Sequence, residues 1–427
     1  MVKQEILPIK LKKSDALATS QSGLILIDEA MKAYGIEERL KKLAKPGSNR
    51  GRDAIDYIRP IMLSFAGGGR TLEDVERLLM DDMLCKVLKL KRFKASCLSK
   101  WMKRNGDILP EIEKIAGDFV SRLIDQSGET ELTYDPDAMA IESGKASAEM
   151  TYKGFKGYMP MLAFIPGLKL NIFQAFQLGN TSPAKGIYES FVHSRNQMPE
   201  GVDFKGFRSD SAAYSAKTIS YCQDTGVTFT ITAPMDRAVK ATIANIPDSS
   251  WCVLLDADGN ETHREVAPAV HCMQGTPEAF TLIVQRSKQH QLDLFSEGKQ
   301  RHYVIATNME ASPEDIIDWH RSRSNSENDN KEVKYSLNLN YLPTGDFAAN
   351  KLWFTLGLLI YNLFQALKLF VLPTSWKRKK ISSVRWQLIQ IAGKFVSHAR
   401  QFHLYLHGIS QDLFDIFRNS RLILCRL

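Results

Sequence analysis

Apolar residues recur at three- to four-residue intervals over residues 20–105, and the spacing shortens towards two from Glu129 onward. The first stretch predicts helices. Leu24–Tyr34 is periodic up to Gly35, and Asp53–Phe65 is a second apolar-faced helix running into Gly67-Gly68-Gly69. Thr71 with Asp74 fits a capping box that opens a helix over Leu72–Met80. The glycine run reads as a turn, although glycines before a helix can also cradle phosphate through backbone N–H groups. Ala95–Arg104 predicts a further short helix.

Beyond Glu129 the pattern predicts strands at Glu131–Asp135, Met150–Phe164 and Leu170–Leu178, the last two as a hairpin pair. A helix over Gly186–Asn196, a strand over Phe204–Ser209, a helix over Ala212–Asp224 and a strand over Val227–Ala233 follow. This β-β-β-α-β-α-β order predicts an α/β fold built on a mixed sheet. Asp135 and Asp210 both fall at carboxyl ends of predicted strands, where open α/β sheets place ligands. Four more strands, Trp251–Leu255, His263–Met273, Phe280–Arg286 and His302–Thr307, read as a β-rich insertion over 240–312. A helical stretch over Ser312–Asn338 comes next, then the apolar Leu352–Leu372. The latter is long enough to cross a membrane, but Asn362, Gln365 and Lys368 give it a polar edge, so it reads as a buried core helix. Lys377–Lys380 is a basic run, and an amphipathic helical region is expected from there to about Leu406. The chain thus divides into 1–128, 129–239, 240–312, 313–372 and 373–427.

Composition places these elements in a globular protein: of 427 residues, 44% are hydrophobic and 24% charged. Net charge is only +8, but residues 1–104 and 353–427 each carry +9 and the middle carries −10. Basic flanks around an acidic centre suit an anion held over carboxylates that need a cation. Six cysteines without a CxxC pair or zinc spacing, and an N-terminus without an apolar signal region, point to a reducing, cytoplasmic setting. Lys86–Arg104 has eight basic residues in nineteen, interleaved with Phe93 and Trp101. Short helices ending in a basic one resemble a helix-turn-helix, which makes Lys100, Lys103 and Arg104 candidate DNA contacts. No Gly-x-Ser-x-Gly elbow supports a serine hydrolase.

The chemistry concentrates around Glu327. If Ser312–Asn338 is one helix, His320, Arg323, Glu327, Lys331 and Lys334 share a face. Salt bridges on a wet surface would account for such a face by themselves. Together with Asp135 and Asp210 at two strand ends, however, Glu327 completes a set of three carboxylates. Such a set binds hard divalent cations, usually Mg²⁺, and a pair of ions about 3.5–4 Å apart drives phosphoryl displacement. The neighbouring cations would then face phosphates.

Three blocks, LTYDPDAM (Leu132–Met139), GFRSDSAAYS (Gly206–Ser215) and RSRSNSENDNKEVK (Arg321–Lys334), resemble the catalytic blocks of DDE transposases from bacterial insertion sequences. The similarity is greatest to the insertion-sequence 1380 group, of the class with a Y-x2-R-x3-E-x6-K signature. Here His320 stands at the tyrosine position, followed by Arg323, Glu327 and Lys334 at matching spacing. The resemblance implies an RNase H-like catalytic core with helices on both faces, a β-rich insertion and a helical N-terminal DNA-binding region. It further implies two Mg²⁺ ions per site, replaceable by Mn²⁺, a homodimer on paired DNA ends, no membrane, and a nucleoid-associated cytoplasmic location. By position Asp135, Asp210 and Glu327 become the catalytic metal ligands, and His320, Arg323, Lys331 and Lys334 DNA contacts. Asp137 is the rival for the first place; Asp135 is preferred because it ends the apolar strand. Cut-and-paste transposition is the activity implied. A nuclease without strand transfer and an inactive DNA-binding protein are the alternatives.

Overall fold

The period-two segments pair into one nine-stranded sheet. Its strands are β1 (Glu131–Ala138), β2 (Met161–Ile165), β3 (Leu170–Ala175), β4 (Asp203–Ser209), β5 (Thr228–Thr232), β6 (Cys252–Leu255), β7 (Glu261–His271), β8 (Phe280–Ser287) and β9 (His302–Thr307). The structure is a computed structural model that describes residues 16–43, 51–256, 259–287, 302–398 and 401–427. Across the sheet the order is β6-β7-β8-β9-β5-β4-β1-β2-β3. β1, β4 and β5 run parallel, and every other neighbouring pair is antiparallel. Helices α2 (Ile187–Asn196) and α3 (Ala216–Asp224) connect β3 to β4 and β4 to β5, as parallel strands require.

Four sequence expectations change. The strands of 240–312 do not stand apart: β9 pairs with β5 through Ile305↔Thr232 and Thr307↔Thr230, so β6–β9 extend the central sheet. The long strand expected over Met150–Phe164 is interrupted. Lys156–Tyr158 joins a separate small sheet, and β2 begins only after Pro160, which has no N–H to donate to a ladder. The basic C-terminal region holds a hairpin, Ala392–His398 with Gln401–His407, where a helix was expected. Leu404 and Leu406 pack on the core while His403, Tyr405 and His407 are exposed, which is the alternation of a strand.

The fourth change concerns Ser312–Asn338. It splits into α4 (Pro313–Arg321), α5 (Ser324–Lys331) and a π-helical turn over Glu332–Ser336. The break has a tertiary cause. The carbonyl of Trp319, which should accept from Arg323 in an unbroken helix, instead accepts from Arg208 and from the Ser322 hydroxyl. The Arg323 N–H turns to His320 O at 3.1 Å. His320 and Glu327 therefore lie on different helices.

The N-terminal helices form as expected, including α1 (Ala95–Arg104) and the Thr71–Asp74 capping box. The glycine run is a packed turn: Gly68 has φ +100°, and a Cβ on it would meet the Arg385 side chain at 3.2 Å. The apolar segment is the core helix α6 (Phe347–Ala366) with a π-helical extension to Val371. It alone among the described residues is long and apolar enough to cross a membrane, yet 89% of its apolar window is buried. Asn362 accepts from the backbone N–H of Asn171 on β3 and donates to its carbonyl, at 2.9 and 2.8 Å. One hydrophobic core runs from Leu24 through α6 to Leu424 and includes the inward faces of the N-terminal helices.

Candidate active site

Alternation on β1 puts Thr133, Asp135 and Asp137 on one face. The neighbouring β4 is parallel, with Thr133 opposite Gly206; Asp135 lies against Arg208, and Asp137 is near enough to Asp210, just past the end of β4, to feel its charge. The two aspartates of β1 therefore have chemically different neighbours. Asp135 is fully buried and held by Arg208 in a bidentate pair, Nε–Oδ1 3.0 Å and Nη2–Oδ2 2.8 Å, with Ser326 donating to Oδ2 at 2.7 Å. Burial opposes its charge and the guanidinium supports it. Arg208 also donates to Ser322 Oγ and Trp319 O. The cluster clamps β1, β4 and the α4–α5 junction together.

Asp137 has no such partner. Asn330 of α5 donates to its Oδ2 at 2.7 Å. Its carboxyl is pushed up to about 6, first by burial and next by the charge of Asp210, with Glu327 adding to the push and Arg323 opposing it. Asp210 follows β4 and caps a short turn by accepting from Ala212 N at 3.0 Å. Glu327 accepts from Arg323 at 2.9 Å, one turn back along α5. Asp137, Asp210, Glu327 and Arg323 thus lie near enough for their charges to act on one another. Asp135, preferred from the sequence, has both carboxylate oxygens taken by Arg208 and Ser326. The signal that distinguishes the two was in the sequence: Asp135-x-Asp137 beside Arg208-x-Asp210 puts a cation opposite the first aspartate only.

Two expected DNA contacts stand elsewhere. His320 is buried against the sheet, with Nδ1 3.0 Å from Thr230 Oγ1 and Nε2 3.0 Å from both Thr232 Oγ1 and Tyr303 OH. Burial first, then Arg323 and Arg208, push its ring down to about 4, so it is neutral and faces away from solvent. Lys334 is half-buried and donates to Ala140 O at 2.8 Å, just past the end of β1. Burial and the nearby Lys153 ammonium lower its pKa. It fastens the π-helical turn to the segment after Asp137. By contrast Lys331 is exposed, as are Lys100, Lys103 and Arg104 on α1. Elsewhere in that basic segment Lys91, Arg92 and Lys94 pair with Asp56, Asp82 and Glu76, whereas Lys86 and Lys89 are exposed like the three α1 cations.

A family model described as "Transposase DDE domain group 1" matches residues 5–418. The chain belongs to this DDE transposase family. No curated protein matches it. Among solved structures it is similar to a piggyBac transposase synaptic complex with hairpin DNA, at 13% identity and a TM-score of 0.44, over 93% of this chain and 82% of that one.

DDE transposases use divalent metal ions. Among the described residues no group of three or more His, Cys, Asp and Glu side chains is placed to hold a metal ion. The donor type of Asp137, Asp210 and Glu327 nonetheless suits one: all are carboxylate oxygens, the type hard cations take, and a cation near them would offset the Asp210 charge that, after burial, helps to raise Asp137.

Proposed function

We propose that this transposase cleaves DNA at the ends of its element and joins the freed 3′-OH to target DNA, with Asp137, Asp210 and Glu327 as the catalytic carboxylates. The observation that carries this reading is the family match over residues 5–418, with Asp137, Asp210 and Glu327 near enough for their charges to act on one another. Two Mg²⁺ ions, or Mn²⁺ in their place, held by these three residues would activate the attacking oxygen and stabilise the leaving one. The protein's own groups prepare the site. Arg323, half-buried beside Glu327, keeps that carboxylate in place and presents a guanidinium to a phosphate at the reacting centre. Asn330 orients Asp137, and the Asp135–Arg208–Ser326 clamp holds α5 at the distance the carboxylates need.

The order β3-β2-β1-β4-β5, with β2 and β3 antiparallel and β4 and β5 parallel to β1, supports an RNase H-like core for this chemistry. The R-x3-E-x6-K spacing supports membership of the insertion-sequence 1380 group. Cut-and-paste action on paired ends calls for a homodimer, and a cytoplasmic, nucleoid-associated location goes with this reading. The test is an in vitro reaction of the full chain with a duplex carrying the element's terminal repeats and a plasmid target. Mg²⁺-dependent nicking followed by joined products is expected; nicking with no joined product would reduce the activity to that of a nuclease.

A further inference from the structure

One turn beyond Glu327 the surface opens into a recess of about 650 Å³. Lys331 stands at its near edge, four residues after Glu327 and so about 6 Å further along the axis of α5. Lys169 from the β2–β3 turn and Arg378, Lys379 and Lys380 from the segment after α6 complete the basic lining, with the exposed ring of Tyr335 beside them. Three parts of the chain distant in sequence thus bring cations to one place. Of the two acids that line it, Asp329 is buried and Glu332 accepts from the Ile381 N–H. Lys379 is drawn aside, onto Gln387 and the face of Trp376. Lys331, Arg378 and Lys380 are exposed, and among the described residues they form no ion pair.

We propose that this recess seats the sugar-phosphate backbone of duplex DNA next to the carboxylate site, without reading its bases. The proposal rests on the DNA-cleaving function above and adds a second contact surface to the one on α1. A run of exposed cations from separate elements, flanked by one aromatic ring and lacking an array of base-reading amides, is suited to phosphates. Lys331 links the surface to the reacting centre through α5, so DNA held here continues past the scissile bond.

The test compares the full-length protein with an Arg378→Glu/Lys380→Glu variant and with Lys377→Glu, which reverses a charge in the same run but does not line the recess. Binding to a 30-base-pair duplex of arbitrary sequence is followed by fluorescence anisotropy over a salt series. The double variant should bind about tenfold or more weakly and lose roughly 1.8 from the slope of log affinity against log salt, at about 0.9 per phosphate. Lys377→Glu should change the slope by less than half a unit. An unchanged slope in the double variant, or an equal loss in Lys377→Glu, overturns the recess as a seat. Salt-independent binding by the wild type would instead count against the DNA function itself. Coincident thermal unfolding curves confirm that all three proteins are folded.

Discussion

Asp135 and Asp137 lie two residues apart on one strand face, and what faces each decides its role. Asp135 is half of a buried ion pair, and removing one member of such a pair leaves the other uncompensated, typically at a cost of about 3–5 kcal/mol. Asp135→Ala should therefore lower the unfolding free energy by about that amount, measured by urea titration. Asp137→Asn removes a carboxylate that burial and repulsion already penalise, and it should leave stability unchanged or raised in metal-free buffer. His320 adds a pH signature. Its ring protonates near 4 in the folded chain and near 6.5 when unfolded, so the native state binds fewer protons between those values. The stability this contributes is fully present above pH 6.5 and is lost as the pH falls towards 4, amounting to about 2 kcal/mol by pH 5. His320→Gln should be less stable than wild type at pH 8, with the gap narrowing by about that amount at pH 5. A gap independent of pH would mean that the ring is solvated and titrates normally.

Between elements, the placement of α5 depends on a few polar contacts. Ser326 joins α5 to Asp135, and Arg208 joins β4 to the α4–α5 break. Ser326→Ala should cost about 1–2 kcal/mol and reduce the nicking rate several-fold without weakening DNA binding. Ser324→Ala, on the exposed side of the same helix, should change neither. Equal effects from the two would remove the positioning role given to Ser326. Much of this level was legible in the sequence. The period-two strands, the capping box at Thr71 and the core helix α6 all follow from local pattern. The break at Ser322 was not legible, because it depends on Arg208, over a hundred residues away, taking the Trp319 carbonyl. For the same reason the single cationic face from His320 to Lys334 dissolved: its first member turns to the sheet and its last to Ala140. The joining of β9 to β5 is likewise a long-range pairing that alternation within either strand leaves unspecified.

At the scale of the whole molecule the charge distribution read from the sequence acquires places. The basic N-terminal quarter presents α1, and the basic C-terminal stretch contributes Arg378, Lys379 and Lys380 to the recess beside α5, while the acidic middle supplies the carboxylates. Reversing Lys100, Lys103 and Arg104 together should flatten the salt dependence of DNA binding by up to about 2.7, at about 0.9 per phosphate, and weaken binding accordingly. An unchanged slope would assign α1 to solvent. The central claim, that chemistry takes place at Asp137, Asp210 and Glu327 and that Asp135 only supports them, is tested most directly by one comparison of nicking rates. The substrate is a duplex with the element's terminal repeat in Mg²⁺, and the proteins are Asp137→Asn and the charge-neutral double variant Asp135→Asn/Arg208→Gln. Asp137→Asn should bind DNA normally and nick at least about a thousandfold more slowly, as loss of a group that acts in the transition state requires. The double variant, folded by circular dichroism, should stay within about tenfold of wild type. Wild-type nicking by Asp137→Asn, with a folded but inactive double variant, would return the catalytic role to Asp135 and contradict the account.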